Sequence, residues 1–147
     1  MSRGFVLPSQ ISPPITAAAS AVSAQGSSYV ATEQGTSSGT FVGLTTAQTV
    51  TLTTATAALV FVSCNFYNIS TGTENAMGFA VSGATTTSAA VGYAALDENP
   101  SSGSRHMLYA CFPVVLTAGS NTFTAQFKVT GGTGNFKYRT IIVLAVS

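Results

Sequence analysis

Asn121–Val129 reads NTFTAQFKV and Thr140–Val146 reads TIIVLAV, with Gly131-Gly132-Thr133-Gly134 in the loop between them. In the first run Phe123, Ala125, Phe127 and Val129 alternate with Thr122, Thr124, Gln126 and Lys128. A period of two marks a strand with one face inward and the other on solvent or a polar contact. The glycines turn the chain and the second run returns. Its alternating sets, Ile141-Val143-Ala145 and Ile142-Leu144-Val146, are both apolar. A strand in a two-layer sandwich has only one core face, so one set needs cover from elsewhere. A neighbouring subunit is the simplest source, and Ile141, Val143 and Ala145 are the expected subunit interface. A flap or loop of the same chain is the rival cover.

Other runs carry the same signals. TVTLT (Thr49–Thr53) alternates strictly, while ALVFVSCNFY (Ala58–Tyr67) is nearly continuous and apolar, as in a central strand covered on both faces. AMGFAVS (Ala76–Ser82), TSAAVGYAA (Thr87–Ala95) and HMLYACF (His106–Phe112) are shorter strand candidates, separated by turn clusters such as NISTGTEN and DENPSSGSR. About eight short strands at this spacing predict an all-β, jelly-roll-like β-sandwich. There is no internal repeat, and helical periodicity is absent outside the N-terminal segment.

That segment reads differently. Three of the five prolines fall in LPSQISPPIT, which favours extended backbone. Phe5, Val6, Leu7, Ile11 and Ile15 are too apolar for a plain linker. We expect residues 1–28 to be an anchoring arm and 29–147 the sandwich. TAAASAVSAQG fits one or two helical turns or a β-arm equally. Pro8 cuts the apolar stretch well short of a signal-peptide core, so no signal peptide is expected. The chain is then expected to be made in a reducing cytoplasm. Cys64 and Cys111 lie in apolar runs and read as buried free thiols, with a disulfide as the alternative.

Hydrophobic residues make up 46% of the 147, enough for a core. Charged residues are only 6%, against about 25% in an average soluble domain. Surface polarity must come from Thr, Ser, Asn, Gln and Gly, which hydrate without repelling a neighbour. Such a surface suits close packing in a particle or coat. The net charge is +1 and the five basic residues form no broad patch, so nucleic acid is not an expected partner. Lys137-Tyr138-Arg139 reads as a solvated strand start. No apolar run approaches the roughly 18 residues of a membrane helix, and no membrane is expected as a partner.

The densest cluster of reactive types is LDENPSSGSRHM, with Asp97, Glu98, Arg105 and His106. It lacks a nucleophile elbow and reads as a polar loop between strands, so no catalytic residues and no enzyme are expected. Asp97, Glu98 and Glu74 lack the spacing of a calcium loop, and two cysteines without clustered histidines make no zinc site. No metal or cofactor is expected. The Asn68-Ile69-Ser70 sequon and the GGTG run are read as chance and as a tight loop. Tyr93, Tyr109 and Tyr138 offer aromatic faces to a glycan, without a defined site.

The run YVATEQGTSSGTFVGLTTAQTVTLTTATAALVFVSC, with GFAVSGATT, LTAGSNTFTAQFKVTGGTGNF and the closing RTIIVLAV, resembles a group of tailed-bacteriophage virion proteins. The group comprises minor tail proteins, head fibres and capsid decoration proteins ending in a Thr-rich β-domain. The resemblance implies a jelly-roll-like, often trimeric domain without catalytic residues. Tail proteins of this type carry the domain at the end of a much longer chain, whereas here only a short arm precedes it. That layout implies a homotrimeric decoration protein on the outer surface of a phage head, with the major capsid protein as partner. The alternative is a tail-tip or head-fibre module that adheres to host-surface glycan.

Overall fold

The computed structural model describes residues 21–99 and 102–147. Its strands in chain order are β1 (Val22–Val30), β2 (Gln34–Thr36), β3 (Thr49–Thr54), β4 (Ala57–Asn68), β5 (Thr73–Gly83), β6 (Ala94–Asn99), β7 (Arg105–Val115), β8 (Gly119–Val129) and β9 (Gly134–Val146). One antiparallel sheet has the order β1-β9-β4-β7, with the short β2 also on β9; the other runs β3-β8-β5-β6. The chain passes between sheets after β2, β3, β4, β6, β7 and β8, so these sequence neighbours lie in opposite layers. This wrapped, two-Greek-key order is the jelly roll.

The Gly-rich loop makes one such passage, from β8 to β9. Gly132 sits at φ 64°, a left-handed conformation that other residues adopt only with strain. Gly134 faces inward, where a Cβ would collide with the Val129 side chain and lie 2.6 Å from Asn75 Oδ1. Both positions explain why the loop is glycine.

The core lies between the sheets. Val60, Val62, Cys64, Phe66, Ile141 and Val143 project from one side, and Met77, Phe79, Val81, Phe123, Phe127 and Val129 from the other. Phe136 joins them, 4.9 Å from the Phe127 ring and edge-on to Phe66 at 5.7 Å. Such close aromatic contacts contribute about 0.5–1.5 kcal/mol each beyond the area they bury.

A single irregularity decides which side of β9 meets this core. Along β4 the pairing steps from Asn65 to Ser63, while along β9 it steps from Lys137 to Thr140. The extra residue is a β-bulge at Tyr138, whose φ is 51°. Counting in twos from buried Phe136 without the bulge would turn Ile142, Leu144 and Val146 inward. With it, Arg139, Ile141, Val143 and Ala145 point inward and are all fully buried. This corrects the expected subunit interface: Ile141, Val143 and Ala145 belong to the chain's own core. The set open to a partner is Ile142, Leu144 and Val146.

Several expectations change with the fold. The sandwich begins at Val22, so residues 22–28 belong to β1 and not to an arm, and the helical alternative fails for the described part of TAAASAVSAQG. The arm residues Phe5, Val6, Leu7, Ile11 and Ile15 lie outside the described residues. Of TSAAVGYAA only Ala94 and Ala95 are in a strand; Val91–Tyr93 forms a 3-10 turn. The central strand β4 buries one face and leaves the other half-buried or exposed. Cys64 and Cys111 are both free, but only Cys64 is buried.

Candidate assembly surface

The outer face of the β1-β9-β4-β7 sheet is built in cross-strand rows fixed by register. At the end of the sheet where β9 finishes, Val146, Ala57 and Val115 stand side by side. The next row is Leu144, Leu59 and Pro113, and the third is Ile142, Phe61 and Cys111. None of these nine side chains, from β9, β4 and β7, bears a charge or a hydroxyl; on β1 the same rows continue with Val22, Gln25 and Ser27. Val115 is 86% exposed, and Phe61, Cys111 and Ile142 also face solvent. Apolar residues scattered over a surface are ordinary; contiguous ones on one flat sheet mark an interaction site.

The face changes character along its length. A fourth row brings Tyr29, Thr140, Ser63 and Tyr109, the last 85% exposed. Beyond it the surface turns polar. The Arg105 guanidinium lies 4.5 Å over the Tyr67 ring, donates to Asn65 Oδ1 at 3.4 Å and pairs with Glu33 at 2.8 Å. The hydrogen bond to Glu33 raises the Arg105 pKa, and the carboxylate's charge adds to it. Lys137 lies 4.7 Å over Tyr138. The opposite sheet presents no comparable apolar rows. Its outer face carries Thr49, Thr51 and Thr53 beside Thr124, Thr122 and Ser120, with the Thr51 and Thr122 hydroxyls 2.8 Å apart.

The sequence-expected sites are placed as follows. Asp97 is no loop residue: it is buried on β6 and its carboxylate meets His106 Nδ1 at 2.7 Å. Asn75 donates to its other oxygen at 3.4 Å, and Asn68 donates to Asn75 at 3.0 Å. This chain of side chains ties β4, β5, β6 and β7 together at one end of the sandwich. Buried polar groups stabilise only when paired in this way. Asn68 is itself fully buried, a poor acceptor for a sequon reading. Glu74 reaches Lys128 at 3.6 Å, and among the described residues no three His, Cys, Asp or Glu side chains converge as metal ligands. The three tyrosines do not converge either. Tyr93 packs on Phe79 and Phe112, Tyr109 stands on the outer face, and Tyr138 occupies the bulge.

Arg139 is the residue sequence reasoning misjudged most. Expected in solvent, it is fully buried by the bulge, with its guanidinium 5.5 Å over Phe127. Nη2 donates to Gln34 Oε1 at 2.9 Å, while Nε and Nη1 have no partner among the described residues. Burial lowers its pKa. Burial likewise pushes the Cys64 thiol up to about 12.

No protein family and no curated protein matches this sequence. Solved structures do. The VP2 subviral particle of infectious bursal disease virus superimposes with a TM-score of 0.60 over 84% of this chain, at 10% identity. The Gt strain of the same virus gives 0.60 over 84% at 13% identity, and its T=1 particles 0.60 over 84% at 11%. The shared feature is the fold. This chain spans about a third of the length of those chains, 32–33%.

Proposed function

We propose that this chain is a structural virion subunit: a homotrimeric decoration protein that binds the outside of a phage head and reinforces it. The observation that carries the reading is the set of uncharged apolar rows on the outer face of the β1-β9-β4-β7 sheet. An isolated soluble domain is poorly served by such a face, and a coat subunit needs one. The fold likeness to a protein of viral particles and the resemblance of the strand segments to phage virion proteins support the same reading. The major capsid protein and further copies of this chain are the partners. Phe5, Val6, Leu7, Ile11 and Ile15 serve as the anchor to the shell. No catalysis, cofactor or nucleic acid enters the role.

Coat subunits gain stability collectively. Each contact is weak, but binding that favours the assembled state adds over many copies. With so few charges, attachment depends weakly on salt.

The test is immunogold electron microscopy of intact virions, paired with Ile142→Lys. Gold spread over the head supports the coat reading. Gold confined to the tail tip overturns it in favour of a receptor-binding module that adheres to host glycan. Covering the exposed third of Ile142 contributes about 0.5–1 kcal/mol, and an ammonium brought into the same apolar contact costs at least about 1 kcal/mol more, so the lysine should lower head affinity by about tenfold or more. The variant should fold normally, because Ile142 is 37% exposed and outside the core.

A further inference from the structure

Among the described residues, β7 pairs on one side only, with β4. It is an eleven-residue edge strand, RHMLYACFPVV, with its charge confined to the Arg105 end. Natural sheet edges are normally blunted by shortness, charge, bulges or proline, because unpaired backbone groups recruit other strands. The other three edges are blunted. Strand β1 has a register break between Val22 and Ala24, β3 is six residues long, and β6 carries Asp97 and Glu98. Among the described residues β7 is the long, regular and largely apolar edge, with Pro113 near its far end.

Which backbone groups of β7 are free follows from two observations. Leu116 N donates to Thr56 O at 2.9 Å, so the even-numbered residues of β7 bond inward to β4. Pro113, which has no N–H, occupies an odd position opposite Leu59, where the ladder needs no donor. The N–H groups of Met107, Tyr109 and Cys111 therefore point away from the sheet, with the carbonyls of the same residues beside them. These residues also carry their side chains on the exposed outer face.

We infer that the β7 edge pairs antiparallel with the β7 edge of a second copy, about a two-fold axis at Tyr109, joining two five-stranded sheets into one of ten strands. The inference rests on the coat reading and deepens it, naming a second copy as one partner of this sheet. A two-fold contact cannot build a trimer, so it links one trimer to the next. The charge pattern selects the direction: a parallel pair would set Arg105 against Arg105 of the second copy, whereas the antiparallel pair sets it against Pro113. This register also leaves proline at the rim, and every outward N–H from Met107 to Cys111 finds a carbonyl. Met107 then lies opposite Cys111 of the other copy.

The test uses that opposition. In Met107→Cys, the new thiol and the partner's Cys111 stand at a Cα separation of about 5.5 Å, within disulfide range. Within one chain they are about 13 Å apart along the strand and cannot bridge. Mild oxidation should give a covalent dimer, seen as doubled mass on a non-reducing gel. The dimer should be absent from wild type and from Met107→Cys combined with Cys111→Ser. Tyr109→Pro, which deletes an outward N–H and spares the β4 ladder, should abolish dimerisation. Wild type crosslinking through Cys111 itself, a dimer that survives Cys111→Ser, or no dimer at all would overturn the inference. If the dimer is absent while Ile142→Lys still empties the heads, the edge pairing fails and the coat reading stands. If neither behaves as expected, both fail.

Discussion

Replacing Cys64 by valine at alkaline pH tests the closed core of this sandwich. The thiol is fully buried, and its pKa stands at about 12 against 9.0 for a free thiol. Desolvation is the main cause; a backbone hydrogen bond from Lys137 and the charge of Arg139 oppose it. A group that holds its proton more tightly when folded contributes stability that is intact below the unfolded pKa and is lost as pH rises towards the folded one. The window is therefore pH 9 to 12. Each unit within it removes about 1.4 kcal/mol, so about 2 kcal/mol is gone near pH 10.5 and about 4 kcal/mol across the whole window. Urea unfolding of wild type and Cys64→Val at about pH 8 and about pH 10.5 isolates this contribution. Subtracting the variant removes contributions that do not involve Cys64. The stability of wild type relative to the variant should fall by about 2 kcal/mol between the two pH values. A fall below about 0.5 kcal/mol would refute the reasoning. It would mean that the thiolate is accommodated inside, with the Arg139 guanidinium as its counter-ion.

Three further outcomes are expected. Arg139→Met should leave stability unchanged or raise it by about 1–3 kcal/mol in thermal or urea unfolding, because it removes two unpaired buried donors; a loss above about 2 kcal/mol would show that they have partners. Gln34→Ala takes away the guanidinium's one acceptor among the described residues and should destabilise by about 1.5–3 kcal/mol, and no effect would show that the bond at 2.9 Å carries nothing. Thiol alkylation should modify Cys111 in the free subunit and spare it on assembled heads, with Cys64 silent in both; equal labelling of Cys111 in the two states would place its face outside the contact.

The fold was legible where the residue pattern has a single solution. Thr49–Thr53 and Asn121–Val129 alternate strictly, and both became strands with the expected faces. The passage from β8 to β9 was signalled by glycines that the structure requires. The site was harder, because TIIVLAV is apolar in both phases and periodicity cannot choose between them. The choice was made two residues earlier, at a bulge whose only local sign is a tyrosine in left-handed conformation. The same bulge buried Arg139, against every expectation for an arginine flanked by polar residues. Asp97 was misplaced for a related reason. A polar run reads as a loop until β7 supplies His106 and β5 supplies Asn75, and partners on the strands before and after leave no mark on a short window.

The bulge has a genetic consequence. Strand β9 carries two alternative apolar faces, and one inserted residue selects which is core. Deleting Tyr138 itself would keep the faces, because Phe136, Arg139, Ile141, Val143 and Ala145 would then alternate without a break, whereas deleting Thr140 with the bulge retained would exchange the two sets wholesale. In that Thr140 deletion Ile142, Leu144 and Val146 would turn inside, while Arg139 would keep its inward place. A lineage carrying such a strand can tolerate many substitutions on either face while remaining acutely sensitive to a one-codon deletion. In a deep mutational scan, the reading frame of the β9 pleat should therefore be more tightly constrained than the identity of almost any residue along it.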